Sequence, residues 1–309
     1  MNRAFVVSQN ILGRYGAVIL NVLNNSEDDK SVLIPGRNLS ALTELLPGFN
    51  EVWIVGLPYW NSYRELVEGT QRNGAKVYHY ASYGDTIPFA DISHVDEERS
   101  PLGRLLKDLI EMYPEECWNT GIEDVVEHVN IYHTYKMDPE SLSFAMILNL
   151  LSEFYGDNLV KVLGDTSVID YCLKNEVVIE QLFLNKSQAV SEAFQRNRNH
   201  ILTLKNHKVV LVITYAETHK NEVAAKLLTY YQEQFDMAVI ALVGSHTKGD
   251  MSYAIRTTEG VIASEVAKVL AGKKTGKDRV AITYLSDGAE IVEKMVAKEL
   301  QNNLDRVVL

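Results

Sequence analysis

Three groups of residues in this chain are equipped for chemistry. The first is the carboxylate run Asp96-Glu97-Glu98, with His94 just before it, Arg99 just after it and His133 further along. Carboxylate and imidazole donors of this kind can hold a divalent ion. Carboxylates just before a helix start at Pro101-Leu102 are also favoured by the positive end of the helix dipole, with no ion involved. The second group is the basic string Lys273-Lys274-Thr275-Gly276-Lys277-Asp278-Arg279. It lacks the spacing of a nucleotide P-loop. Gly272 and Gly276 are too close, Asp278 stands where Ser or Thr is needed, and a helix precedes the loop instead of following it. Two readings remain: an anion site of backbone N–H groups and lysines, or a solvated basic turn. The third group is aromatic: Tyr15, Trp53, Tyr59, Trp60, Tyr63, Tyr78, Tyr80 and Tyr83. Those on strands are expected to fill the core, whereas Tyr59 and Trp60 follow a strand's end, where they could stack a base.

The elements that must position these groups are legible as alternating patterns. Phe5–Ser8, Ser31–Ile34, Glu51–Val55 and Ala75–Tyr80 are β-rich apolar runs, separated by helical stretches at Tyr15–Leu23, Leu39–Leu46 and Ser62–Arg72. Strand–helix alternation predicts a parallel sheet, and ligands of such sheets sit at the carboxyl ends of the strands. That points to Ser8–Arg14, Gly56–Trp60 and the loop after Tyr80. Residues 102–204 read as all-helical. They include a helix opening at Pro139 with Asp138 as N-cap and a long polar helix over Asn185–Ile201, of the kind that bridges domains. A second α/β pattern follows: strands Val209–Ile213, Met237–Val243, Met251–Ile255 and Val280–Tyr284, with helices Asn221–Gln234, Ala263–Leu270 and Ala289–Leu300. The expected division is 1–184 (α/β core 1–100, helical part 101–184), a linker helix over 185–206, and a smaller α/β domain over 207–309.

Composition narrows the function. The chain has 309 residues and a net charge of −11. From Lys208 onward there are thirteen basic and thirteen acidic residues, so the first part carries the whole excess. A net acidic body argues against sequence-blind binding of long nucleic acid, which depends on many phosphate contacts. The apolar runs are far shorter than the ~20 residues of a membrane helix. Cys117 and Cys172 have no metal-ligand spacing, and two free thiols suit a cytoplasmic protein.

The order of these features resembles the DHH phosphoesterases, the family of RecJ-like exonucleases and nano-RNases. Those enzymes begin with a strand running into S-H-x-D-x-D-G-x-G-A. Here the segment is Ser8-Gln9-Asn10-Ile11-Leu12-Gly13-Arg14-Tyr15-Gly16-Ala17. Ser8 and Gly16-Ala17 fit, Gln9 replaces the His, Ile11 and Gly13 replace the two Asp, and Arg14 replaces a Gly. The family's T-D-hydrophobic-P is Val55-Gly56-Leu57-Pro58, with Gly56 for the Asp. The D-H-H signature aligns with Asp96-Glu97-Glu98-Arg99-Ser100, and V-N-D-x-D-T-W with Val129-Asn130-Ile131-Tyr132-His133-Thr134-Tyr135. The second domain is similar to the DHH-associated substrate domain. Met251–Arg256 matches its strand with a substrate-facing Arg, and Ala271-Gly272-Lys273-Lys274-Thr275 matches its G-G-G-G-H loop.

The resemblance implies a fold with an N-terminal parallel-sheet domain, a helical connection and a smaller C-terminal α/β domain. It also implies an ancestral two-ion Mn²⁺ site, with ions ~3.5–4 Å apart that activate water and clamp phosphate. Ile11, Gly13 and Gly56 offer no donor, so the expectation is a pseudoenzyme with no catalytic residue, metal ligand or cofactor of its own. Asn10, Arg14, Asp96, His133, Arg256, Lys273 and Lys274 are then expected to line a cleft that binds a small phosphorylated ligand or short oligonucleotide between Arg14 and Arg256. A protein partner is the other expected use of the scaffold. Two alternatives stay open: an active phosphodiesterase with a rebuilt site around Asp96, Glu97, Glu98, His94 and His133, and an interaction or inhibitor module with an empty cleft.

Overall fold

The computed structural model describes residues 2–24, 30–35, 48–59, 64–96, 98–114, 121–134, 139–163, 166–204, 207–247, 250–272, 278–285 and 292–308. The chain divides into two compact units, Met1–Gln181 and Leu182–Leu309.

The first unit is built on five parallel strands: β1 (Asn2–Val7), β2 (Lys30–Pro35), β3 (Glu51–Val55), β4 (Lys76–Ala81) and β5 (Ile92–Val95). They lie side by side in the order β2-β1-β3-β4-β5. Ala4, Val6, Val52, Ile54 and Val77 form one buried face with Val67 of helix α2 (Arg64–Arg72). Such β-branched strands, buried on both faces, are the expected pattern for a parallel sheet. Helices α1 (Ile11–Leu20) and α3 (Leu102–Met112) pack against the strands. Beyond them lie α4 (Ile122–Thr134), α5 (Pro139–Tyr155), α6 (Leu159–Leu163) and α7 (Val168–Lys174). The parallel sheet and the helical stretch are as the sequence predicts. The predicted helix Leu39–Leu46 and N-cap Asp138 fall outside the described residues. Strand β5 has no counterpart in the sequence reading. It is a four-residue edge strand whose side chains are all only partly buried, so it carries no clear alternation.

Helix α8 (Glu176–Gln195) leads into the second unit. The helix predicted over Asn185–Ile201 ends sooner than expected. It stops at Gln195, and Arg198–Leu204 is a strand, β6, paired antiparallel with β7 (His207–Tyr215). Within the string Arg196-Asn197-Arg198-Asn199 that ends it, the two asparagines are poor helix formers, because their side chains hydrogen-bond nearby groups in competition with the helix. The Asn197 carboxamide accepts from Tyr231 Oη at 2.6 Å. β6 pairs on one side only, and of its residues Leu202 is core while Ile201 is exposed. That one-sided burial is why its sequence does not announce a strand.

The second sheet runs β10-β9-β8-β7-β6, with β8 (Ala238–Thr247), β9 (Asp250–Thr257) and β10 (Val280–Leu285). Only β7 and β8 are parallel, joined through α9 (Lys220–Gln234); the other pairs are antiparallel. One face packs on α10 (Ala263–Ala271), α11 (Val292–Asn302) and α12 (Leu304–Val307) through Leu211, Leu242, Tyr253, Val266 and Leu300. The other packs Val212, Val239 and Val243 on Val223 and Leu227 of α9. No helix among the described residues is long and apolar enough to cross a membrane.

Candidate functional site

Parallel register brings the carboxyl ends of β1, β3, β4 and β5 to one level. Ser8 N–H donates to Val55 O at 3.0 Å, Gly56 N–H to Tyr80 O at 2.8 Å, and Asp96 N–H to Ala81 O at 3.1 Å. Three of the segments singled out in the sequence therefore converge on one edge of the sheet: Ser8–Arg14, Gly56 and Asp96.

What fills the space there is backbone. Ser8 is buried and donates from Oγ to Asn10 Oδ1 at 2.6 Å. The same Asn10 oxygen accepts from Gly13 N–H at 3.2 Å, so Asn10 is the N-cap of α1. Helix α1 thus begins at Ile11, four residues earlier than the sequence pattern indicates. Gly13 lies directly over Ser8. A β-carbon on it would stand 2.1 Å from Ser8 O, 2.4 Å from Ser8 N and 2.5 Å from Ser8 Oγ. Gly56 has φ +72°, and its β-carbon would stand 2.4 Å from Ser8 Oγ and 3.1 Å from Gly13 N. Ile11 is 8% exposed and belongs to the core.

The carboxylate of Asp96 is turned back on its own loop, where Oδ1 accepts from Glu98 N–H at 2.9 Å and Arg99 N–H at 3.1 Å. Glu97 lies outside the described residues. Asn130 on α4 accepts from Ser100 N–H at 2.7 Å and holds the entrance of α3. His133 is half-buried one turn further along α4. His94 meets α3 instead: Arg104 Nε donates to His94 Nε2 at 3.1 Å and sits 2.9 Å from Asp108 Oδ1. Asp108 is buried and also accepts from Tyr80 Oη at 2.9 Å. Burial, and then the Asp108 carboxylate, push the Tyr80 phenol far above its ordinary range. An open cleft of about 690 Å³ lies beside this group, with Asp96, Arg99, Arg104 and Lys107 on one side and Glu123 and Glu127 on the other. The sequence reading passed over Arg104, Lys107 and Asp108 because a helix surface with mixed charges looks the same whether or not it borders a cleft.

Arg14 is half-buried and donates from Nη1 to Ser152 O at 2.7 Å, at the carboxyl end of α5, where a cation complements the helix dipole. Of the aromatics, Trp53 is fully buried and stacked on Tyr78 at 4.0 Å, as expected of strand residues. Tyr59 packs against the sheet core, and Trp60 and Tyr63 lie outside the described residues.

In the second unit, Arg256 is 8% exposed. It lies on the face of β9 opposite Met251, Tyr253 and Ile255, which enter the core under α10. Lys273, Lys274 and Thr275 lie outside the described residues, just past Gly272, the C-cap of α10 at φ +70°. The sequence reading also overlooked Lys220, whose amine meets Ser252 on β9.

No protein-family profile matches the chain, and no curated protein matches it in sequence. Solved structures do resemble it in fold. RecJ exonuclease bound to manganese is 13% identical over 99% of this chain and 90% of its own, with a TM-score of 0.59. The pGpG-specific phosphodiesterase PggH from Vibrio cholerae is 14% identical over 99% of both chains, at 0.53. An exopolyphosphatase-related protein from Bacteroides fragilis is 10% identical over 98% of this chain and 93% of its own, at 0.50. The chain therefore has the α/β fold of RecJ-like DHH phosphoesterases.

Proposed function

We propose that this chain is a non-catalytic protein on the RecJ-like scaffold, which binds a nucleotide or short oligonucleotide through its second unit. The observation that carries this reading is the packing of Gly13 and Gly56 onto Ser8. Phosphoester hydrolysis by two divalent ions needs several oxygen or imidazole donors around one point. Two of the positions where the resemblance calls for carboxylates have no room for a β-carbon, and a third is the buried Ile11. The Asp96 oxygen at a fourth already accepts two backbone N–H groups. RecJ is bound to manganese, but these residues do not fit a two-metal centre.

Binding and cutting use different residues, so one can persist without the other. Arg256 stands at the position the resemblance assigns to substrate contact, and a guanidinium presents a planar fork matched to phosphate oxygens. The pGpG substrate named for PggH makes linear dinucleotides the first ligands to try. Purified protein is expected to hold no stoichiometric Mn²⁺, to leave pGpG and short oligonucleotides uncut in excess Mn²⁺, and to bind at least one of them by calorimetry. Turnover that Asp96→Ala abolishes would establish a rebuilt metal site instead. No binding across mono-, di- and oligonucleotides would leave a protein partner as the occupant of this scaffold.

A further inference from the structure

Lys220 opens α9 just beyond the carboxyl end of β7, in the one parallel strand pair of the second unit's sheet. The carboxyl ends of parallel strands are where α/β sheets take their ligands. Lys220 Nζ donates to Ser252 Oγ at 2.7 Å, and Ser252 Oγ lies 3.1 Å from Ser245 Oγ. Ser245 and Ser252 face each other across the β8–β9 ladder and are 5% and 1% exposed. The amine is therefore anchored on one buried hydroxyl, which a second hydroxyl on the adjacent strand holds in turn.

Its charge, however, has no counterpart. Among the described residues Lys220 makes this single hydrogen bond and no ion pair. The carboxylate of the same helical turn, Glu222, is taken by the buried Lys186 at 2.7 Å. An ammonium has three N–H donors. One goes to Ser252, and the tetrahedral geometry turns the other two away from the serine pair. A half-buried cation without an anion is held at a cost in desolvation, and burial lowers the Lys220 pKa accordingly. A tetrahedral anion would take both remaining donors and offset the charge.

We propose that Lys220, positioned by Ser252 and Ser245, binds a phosphate group of a small phosphorylated ligand. The site shares its class of ligand with the nucleotide-binding reading above and deepens it, but it uses none of the residues on which that reading stands.

The test is amine acetylation of the full-length protein, followed residue by residue with peptide mass spectrometry. Rates are measured without added anion, with inorganic phosphate and with acetate, at matched ionic strength. Phosphate is expected to slow labelling of Lys220 several-fold while leaving Lys226 and Lys268 unchanged, and acetate to do much less. Ser252→Ala should reduce that protection, and Ser252→Thr, which keeps the hydroxyl, should restore it. Lys220 labelling indifferent to phosphate would overturn the site, and equal protection by acetate would overturn its assignment to phosphate. Protection undiminished in Ser252→Ala would remove the serine from it. None of these outcomes depends on nucleotide binding, so the two proposals fail separately.

Discussion

Gly56 packs on Ser8 so closely that a β-carbon at position 56 would lie 2.4 Å from Ser8 Oγ. Gly13 approaches the same residue from helix α1, but there the obstruction is the Ser8 backbone, at 2.1 Å from O and 2.4 Å from N. The two glycines and the serine form a plug at the carboxyl ends of β1 and β3, where the sequence resemblance calls for aspartates.

Restoring aspartates at these positions should therefore damage the fold without recovering a metal site. Gly13→Ala and Gly56→Ala are each expected to cost about 2 kcal/mol or more, from overpacking and, at Gly56, from a left-handed backbone. Denaturant unfolding would measure both. Ser8 removal separates them: Ser8→Ala should recover part of the loss at Gly56, whose closest clash is with Oγ, and little at Gly13, whose clash is with backbone. Equal recovery at both positions, or Mn²⁺ binding by the Gly13→Asp/Gly56→Asp double variant, would contradict the packing argument.

Asn10 acts through its oxygen, which accepts from both Gly13 N–H and Ser8 Oγ. Asn10→Ala should lower stability by about 1 kcal/mol as an N-cap loss, and Asn10→Asp should be tolerated, since it keeps the acceptor. A ligand contact alone would leave the unfolding midpoint unmoved in both variants.

His79 makes the first unit sensitive to acid. It is fully buried, with Nε2 2.9 Å from Leu57 O and Nδ1 2.9 Å from Ser93 Oγ. A carbonyl only accepts, so Nε2 carries the proton and Nδ1 accepts from the serine hydroxyl. Burial lowers the His79 pKa. The unfolded chain then binds the proton more tightly than the folded one. The stability contribution is complete above the unfolded value of about 6.5 and is lost as pH falls through the lower folded value. Urea midpoints should drop between pH 7.5 and 5, and His79→Gln should flatten that part of the profile. An unchanged slope in His79→Gln would assign the acid sensitivity to other groups.

The two arginines expected to share a ligand should behave differently. Arg14 donates to Ser152 O at the end of α5, so Arg14→Met should cost about 1–2 kcal/mol of stability. Arg256→Lys keeps the charge and loses the fork, and should weaken nucleotide binding by about tenfold, the lower end for one charge-assisted contact. Calorimetry beside thermal unfolding for both variants would expose a reversal of these roles.

What the sequence determined on its own was the kind of sheet and the loss of donors. Strands such as Phe5–Ser8 and Glu51–Val55, mostly apolar and separated by helices, point to a parallel sheet with its sites at the carboxyl ends. Ile11, Gly13 and Gly56 cannot supply a side-chain ligand to a metal in any conformation, because their side chains carry no oxygen, nitrogen or sulfur. The elements that escaped notice, β5 and β6, are edge strands. Their pairing is one-sided and their burial partial, so they leave no periodic trace. The plug at Ser8 was equally hidden. Gly13 and Gly56 read as missing aspartates, but their second role is to let three backbone segments meet, and that depends on contacts between residues 43 positions apart. Lys220 and Ser252 stand in the same relation. Each is ordinary in its own segment, and only the antiparallel return of β9 beside β8 places a buried hydroxyl against that amine, whose charge has no partner among the described residues.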